Sequence, residues 1–134
     1  MLCGIFALFC TVAHAEQGRP PAVAALPSGQ DVTPLDMAFE IQPDGQTWLI
    51  LRYLAPRIAR DTGDLGYAAV APDLDALCDA VGRPAVADAA SAGQAVDQVV
   101  VILRDRPGER GVFDPAATAF ISAYRLGQTG CMWQ

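Results

Sequence analysis

Apolar and polar positions alternate through the first patterned stretch of this chain, with Leu35, Met37, Phe39 and Ile41 set against Asp36, Ala38, Glu40 and Gln42. A period of two sends successive side chains to opposite sides of a strand, so the stretch predicts a strand with one buried face. Pro43-Asp44-Gly45 then supplies turn residues. In the run Thr47 to Ala55 both sets are apolar, with Trp48, Ile50 and Leu54 on one side and Leu49, Leu51 and Tyr53 on the other. The two runs predict an antiparallel hairpin. Val99 to Leu103 is an unbroken aliphatic run that suits a strand covered on both faces, and the core is expected to form around it.

A different period governs Leu74, Leu77, Cys78 and Val81, which fall at i, i+3, i+4 and i+7 with Asp73, Asp75 and Asp79 off the stripe. This predicts a helix with Pro72 in its first turn and Gly82 just past its end, to which Tyr67 to Ala71 adds a kinked turn. Residues 57–66 and 83–94 read as irregular connections, since glycine, proline and small residues present no face to bury. Asp114-Pro115 predicts the start of a second helix with Ala116, Phe120, Ala123 and Tyr124 as its buried stripe and Gly127 as its stop. In the last stretch, from Thr129 to Gln134, Cys131 and Trp133 share one face of a terminal strand. The order strand, strand, helix, strand, helix, strand predicts an α+β sandwich: an antiparallel or mixed sheet with helices mainly on one face. Residues 16–34, rich in proline, alanine and glycine, read as a flexible lead-in to a single domain at residues 35–134.

Composition adds a compartment to this fold. Residues 1–15 hold no Asp, Glu, Lys or Arg, their run from Leu2 to Val12 is apolar, and Ala13-His14-Ala15 has the small-x-small form of a signal-peptidase site. Cleavage after Ala15 is the expectation, because a spanning helix needs about 20 apolar residues. The only positive charge ahead of the apolar run is the amino terminus, so either the signal is unusual or the true start lies upstream. Cys10 follows the bulky Phe9, which argues against a lipoprotein site. With Cys3 and Cys10 removed, Cys78 and Cys131 remain, and an even pair in an exported chain reads as a disulfide. A periplasmic or secreted protein is expected, without a membrane span after cleavage.

The net charge of −6 disfavours phosphate backbones and anionic lipid surfaces, so neither nucleic acid nor membrane binding is expected. All nine cationic side chains are Arg, Lys and Asn are absent, and the only His is His14, inside the leader. A GC-rich bacterial coding sequence accounts for the missing Lys and Asn. Without His or Lys in the mature chain, Ser28, Ser91 and Ser122 lack their usual bases, and His-based zinc sites and P-loops are excluded. No catalytic residue, metal ligand or cofactor is assigned. Asp61, Asp64, Asp73, Asp75 and Asp79 do not match an EF-hand spacing, and Asp73 and Asp75 suit the dipole at a helix start.

One loop stands out. Residues 104–110 carry Arg104, Asp105, Arg106, Glu109 and Arg110 around Pro107-Gly108, so the loop is expected at the surface. Arg104, Arg106 and Arg110 form a candidate contact for an anion or a partner's carboxylates, because guanidinium forks bind such groups bidentately. The competing reading is that these arginines pair with Asp105 and Glu109 on a solvated turn.

Leu77-Cys78, Asp105-Arg106-Pro107, Phe113-Asp114-Pro115, Ala117-Thr118, Phe120, Ala123-Tyr124 and Cys131-x-Trp133 together carry a family likeness. On them the chain resembles a family of small exported proteobacterial proteins, a domain of unknown function. The resemblance covers most of the chain after about Pro27, implies an exported one-domain protein, and brings no catalytic residues with it. Some such sequences are labelled acetolactate synthase, which this chain does not support, since a thiamine-diphosphate enzyme needs cofactor-binding domains and a far longer chain. The expectation is therefore a non-catalytic exported protein that binds another envelope or secreted protein. Its contact surface would be a sheet face left open by the helices, or the Arg104 to Arg110 loop. The alternative is a small-ligand binder or an enzyme that uses only Arg and Asp/Glu side chains.

Overall fold

The computed structural model describes residues 18–134, so the expected leader and cleavage site lie outside the described residues. The first strand, β1 (Thr33–Ile41), turns at residues 42–46 and pairs antiparallel with β2 (Thr47–Leu54). Gly45 adopts φ 88 in that turn, a region open to glycine, and the Asp44 carboxylate accepts the Gln46 amide. A short 3-10 turn (Pro56–Ile58) leads to a helical rod built from α1 (Tyr67–Leu77), a π turn (Cys78–Gly82) and α2 (Arg83–Ser91). The chain re-enters the sheet as β3 (Gln98–Arg104), which lies parallel to β2, as a helical crossover permits. Two antiparallel strands, β4 (Ala119–Gly127) and β5 (Gly130–Trp133), complete the order β1-β2-β3-β4-β5. The class is α+β with a mixed sheet, and the most apolar strand lies at its centre.

The register puts Leu49, Leu51 and Tyr53 of β2 beside Val99, Val101 and Leu103 of β3, and these beside Tyr124, Ser122 and Phe120 of β4. This face receives the rod, whose Val70, Leu74, Leu77, Cys78 and Val81 are buried against it. Burial of such aliphatic side chains contributes roughly 1.5–3 kcal/mol each, so this layer is the main source of stability. Cys78 of the π turn is bonded to Cys131 of β5 with Cα atoms 6.2 Å apart across 53 positions of sequence, fastening the rod to the last strand.

Three local expectations are corrected. The second helix expected from Asp114 is strand β4. Asp114 makes a turn instead, its carboxylate accepting the Ala116 amide and its carbonyl the Ala117 amide, and Phe120, Ser122, Tyr124 and Leu126 then alternate towards the rod. Polar Ser122 interrupts that alternation in the sequence, which left the i, i+4, i+8 spacing of Ala116, Phe120 and Tyr124 as the stronger pattern. The stretch 83–94, read as loop, continues the rod to Ser91. Its alanines favour helix without forming an apolar stripe. Gly82 does not end the helix but lies buried inside it, where an added Cβ would stand 2.9 Å from Val99 Cγ1. Pro84, which lacks an N–H, is accommodated just after the π turn, where the Arg83 amide reaches the Cys78 carbonyl.

The lead-in is irregular but packed. Gly18 bridges Met37 on the outer edge of β1, Leu26 and Val32 are buried, and the Tyr53 hydroxyl donates to the Pro21 carbonyl at 2.9 Å. Asp73, fully buried on α1, accepts the Ser28 amide (2.8 Å), the Ser28 hydroxyl (2.5 Å) and the Gln30 side-chain amide (2.8 Å). Its role is thus to tie this segment to the rod.

Candidate functional site

On the face away from the rod stand Asp36, Ala38 and Glu40 of β1, Trp48, Ile50 and Arg52 of β2, Val100, Ile102 and Arg104 of β3, Ile121 of β4 and Met132 of β5. Ile50 and Val100 at its centre are buried, whereas Ile121 and Met132 are 57% and 51% exposed. Among the described residues, no helix lies on this face.

One end of it is covered by the loop between β3 and β4. Asp105 pins the loop at its base. Its Oδ1 accepts the Thr118 amide at 2.7 Å, its Oδ2 accepts Arg106 Nε and Nη2 at 3.0 and 2.8 Å, and its own amide donates to the Thr118 carbonyl. Burial would raise the Asp105 pKa, but the Arg106 and Thr118 hydrogen bonds outweigh it and hold the carboxyl below the usual range. Farther along, the Gly108 carbonyl accepts Arg52 Nη2 at 2.9 Å. Arg104 turns underneath, its Nε donating to the Arg106 carbonyl. Gly108 packs on its guanidinium so closely that a Cβ would stand 2.6 Å from Nη2. Arg110 reaches β1 and pairs with Glu40, whose carboxyl that hydrogen bond holds below its ordinary value.

The three arginines singled out in the sequence therefore go to separate places: Arg104 beneath the loop, Arg106 onto Asp105, and Arg110 onto Glu40. The structure brings another arginine into the same region. Arg52, nearly buried, holds Asp36 with both prongs at 2.8 and 2.5 Å. A cavity of about 470 Å³ opens between β1, β2 and the loop, lined by Asp36, Ala38, Arg52, Gly108, Glu109 and Arg110. Sequence reasoning missed Arg52, Asp36 and Glu40. A signal existed, for Arg52 is the one charge inside an apolar strand, and the hairpin register places Asp36 across from it.

A second site lies where α1 passes the outer strands. Tyr67, Ala71 and Asp75, one turn apart on α1, face Ser122 and Trp133 across a cavity of about 270 Å³. Asp75 Oδ1 accepts the Tyr124 hydroxyl at 2.6 Å. Burial first and the Asp75 carboxylate second push the Tyr124 phenol up, which keeps it protonated as a donor. Tyr67 meets Phe120 edge to face with centroids 5.5 Å apart. Trp133 and Tyr67 remain 70% and 47% exposed at the mouth.

Two of the other acids flagged in the sequence also take separate partners. Asp64 pairs with Arg57, and Asp79 accepts the Cys131 amide. Among the described residues, no group of three His, Cys, Asp or Glu side chains is placed to hold a metal ion, and no helix is long and apolar enough to cross a membrane. No curated protein and no solved structure matches the chain. Residues 7–134 match a family model described as Family of unknown function (DUF6497), and the chain belongs to that family.

Proposed function

We propose that this protein is a non-catalytic exported domain that binds another envelope or secreted protein through the sheet face opposite the rod. The observation that carries the reading is the unequal covering of the sheet. The rod occupies one face, while the other presents Ile121 and Met132 beside a pinned loop on which Phe113 is 87% exposed. A large aromatic held out to solvent on a fixed loop is the kind of anchor that protein interfaces use. Export to an oxidising compartment is supported by the Cys78–Cys131 bond.

The test begins with oxidised protein as bait in envelope extract from the source cell, followed by purification of the captured protein. Phe113→Ala and Met132→Ser should each weaken its binding at least several-fold at unchanged melting temperature. Unaltered binding in both variants removes the surface from the reading. Intact mass of the exported protein should place its first residue at Glu16, and a retained leader would contradict export by cleavage.

The cavity beside Arg52 and Arg110 supports a second reading, a small anionic ligand. Both guanidiniums already hold carboxylates of the same chain, so an anion would have to displace Asp36 or Glu40. That cost favours the protein-binding reading. Isothermal titration with small mono- and dicarboxylates separates the two.

A further inference from the structure

We infer that the cavity beside the loop takes a small zwitterion of the α-amino-acid class, with its carboxylate on Arg104 and its ammonium on Glu109. This rests on the small-ligand reading above and moves its anchor to an arginine that holds no carboxylate.

Four arginines gather at this loop, and three of them are neutralised: Arg52 by Asp36, Arg106 by Asp105 and Arg110 by Glu40. Arg104 is the exception. It is only 9% exposed, yet among the described residues no carboxylate pairs with it. Asp105, its neighbour in sequence, is turned to Thr118 and Arg106 instead. Of the N–H groups on the Arg104 guanidinium, Nε has an acceptor, the Arg106 carbonyl at 3.3 Å, and the two terminal nitrogens have none among the described residues. A guanidinium stays charged, and withdrawing it from water without a counter-charge is costly. An anion brought to Arg104 would offset that cost and would displace no carboxylate of the chain.

Gly108 stands between Arg104 and the cavity. It packs across the guanidinium so that a Cβ would be 2.6 Å from Nη2, 3.1 Å from Cζ and 3.4 Å from Nη1, while the same residue lines the cavity. The segment 108–111 begins and ends in glycine, with Gly111 at φ 82, so it can swing on two flexible joints. Its fastenings to the sheet are the half-exposed Arg110–Glu40 pair and the bond from Arg52 to the Gly108 carbonyl. Turning Gly108 aside gives up that one bond, leaves Arg52 on Asp36, and opens Arg104 to the cavity.

The charges that then face the cavity select the ligand. Asp36 cancels Arg52 and Glu40 cancels Arg110, whereas Glu109, exposed on the cavity wall, pairs with no cation among the described residues. One positive and one negative group remain, brought close because Glu109 directly follows Gly108. A carboxylate matches the guanidinium fork, and an ammonium matches Glu109. A simple anion would satisfy only the first and would add to a chain charge of −6.

The probe is L-alanine, titrated into 15N-labelled oxidised protein, with N-acetyl-L-alanine and L-alaninamide as controls that each lack one charge. Alanine is expected to shift the Gly108, Glu109 and Gly111 amides and the Arg104 Nε–H, and both controls should bind on the order of tenfold more weakly. Arg104→Met should abolish the alanine shifts at an unchanged melting temperature. Glu109→Gln, at an exposed position that tolerates the change, should bring alanine down to the level of N-acetyl-L-alanine and thus tests the site even if Arg104→Met does not fold. No saturable shift with alanine, equal binding of either control, shifts confined to other regions, or unaltered binding in a folded Arg104→Met would each overturn the inference. If simple carboxylates bind near Arg52 and Arg110 while alanine gains nothing from its ammonium, the small-ligand reading stands without this anchor. Phe113→Ala should leave alanine binding unchanged, which separates this site from the protein-binding surface.

Discussion

The two faces of the sheet are built by opposite means. Against the rod, Leu49, Leu51, Val99, Val101 and Leu103 meet Val70, Leu74, Leu77 and Val81, and a disulfide fixes the layers together. On the other face, apolar burial is limited to Ala38, Ile50 and Val100, and the cover is a loop held by charge: Arg52 on the Gly108 carbonyl, Arg106 on Asp105 and Arg110 on Glu40. Apolar packing is strong and non-directional, whereas charged hydrogen bonds fix positions yet add little where water reaches them. The rod face thus supplies stability, and the loop face supplies an ordered surface that still shows Phe113, Ile121 and Met132 to solvent.

Mutations that break this contrast should rank accordingly. Leu51→Ala, on the rod face, is expected to cost about 2–5 kcal/mol in urea unfolding, through lost burial and the cavity left behind. The double variant Cys78→Ala/Cys131→Ala should lose roughly 2–4 kcal/mol, read as a lower melting temperature, since the closed loop no longer restrains the unfolded chain. Asp36→Ala leaves the nearly buried Arg52 without its carboxylate. Because Asp36 is itself partly solvated, about 2 kcal/mol is expected rather than the larger loss of a fully buried pair. Arg110→Ala, which breaks a half-exposed pair, should cost under about 1 kcal/mol while raising proteolysis of the loop. An Arg110→Ala loss larger than that of Leu51→Ala would reverse the assignment of the two faces.

Acid and base should also act on different faces. Glu40 and Asp105 titrate below their ordinary range in the fold, so their contribution is present above the unfolded carboxylate pKa of about 4 and is lost as pH falls through the lower folded values. Tyr53, on the rod face, is pushed up to about 12 by burial. Its contribution is complete below the unfolded value of about 10 and is lost as pH rises towards the folded one. Amide exchange followed against pH should find the 105–118 loop opening first in acid. Tyr53→Phe should flatten the alkaline limb of the stability profile.

Much of the rod face was legible in sequence because periodicity reports burial. The hairpin, the central strand and the stripe Leu74, Leu77, Cys78 and Val81 could be read from spacing, and the cysteine pair from the even count left once the expected leader is set aside. The spacing misled where a polar residue occupies a buried strand position, as Ser122 does in β4, and where helix is sustained by alanine without an apolar stripe, as in α2.

The sequence by itself determined the class of fold, the central place of Val99 to Leu103 and the surface position of residues 106–110, since each follows from local pattern and the cost of burying charge, whereas Arg104 and Asp105, expected at the surface with them, are buried. Only the tertiary structure decided which carboxylate each arginine takes, that Arg52 belongs to the same cluster, and that Asp73 ties down the lead-in. These are contacts between residues far apart in the chain, set by sheet register and by the length of each strand, and no local pattern of charge or hydrophobicity encodes them.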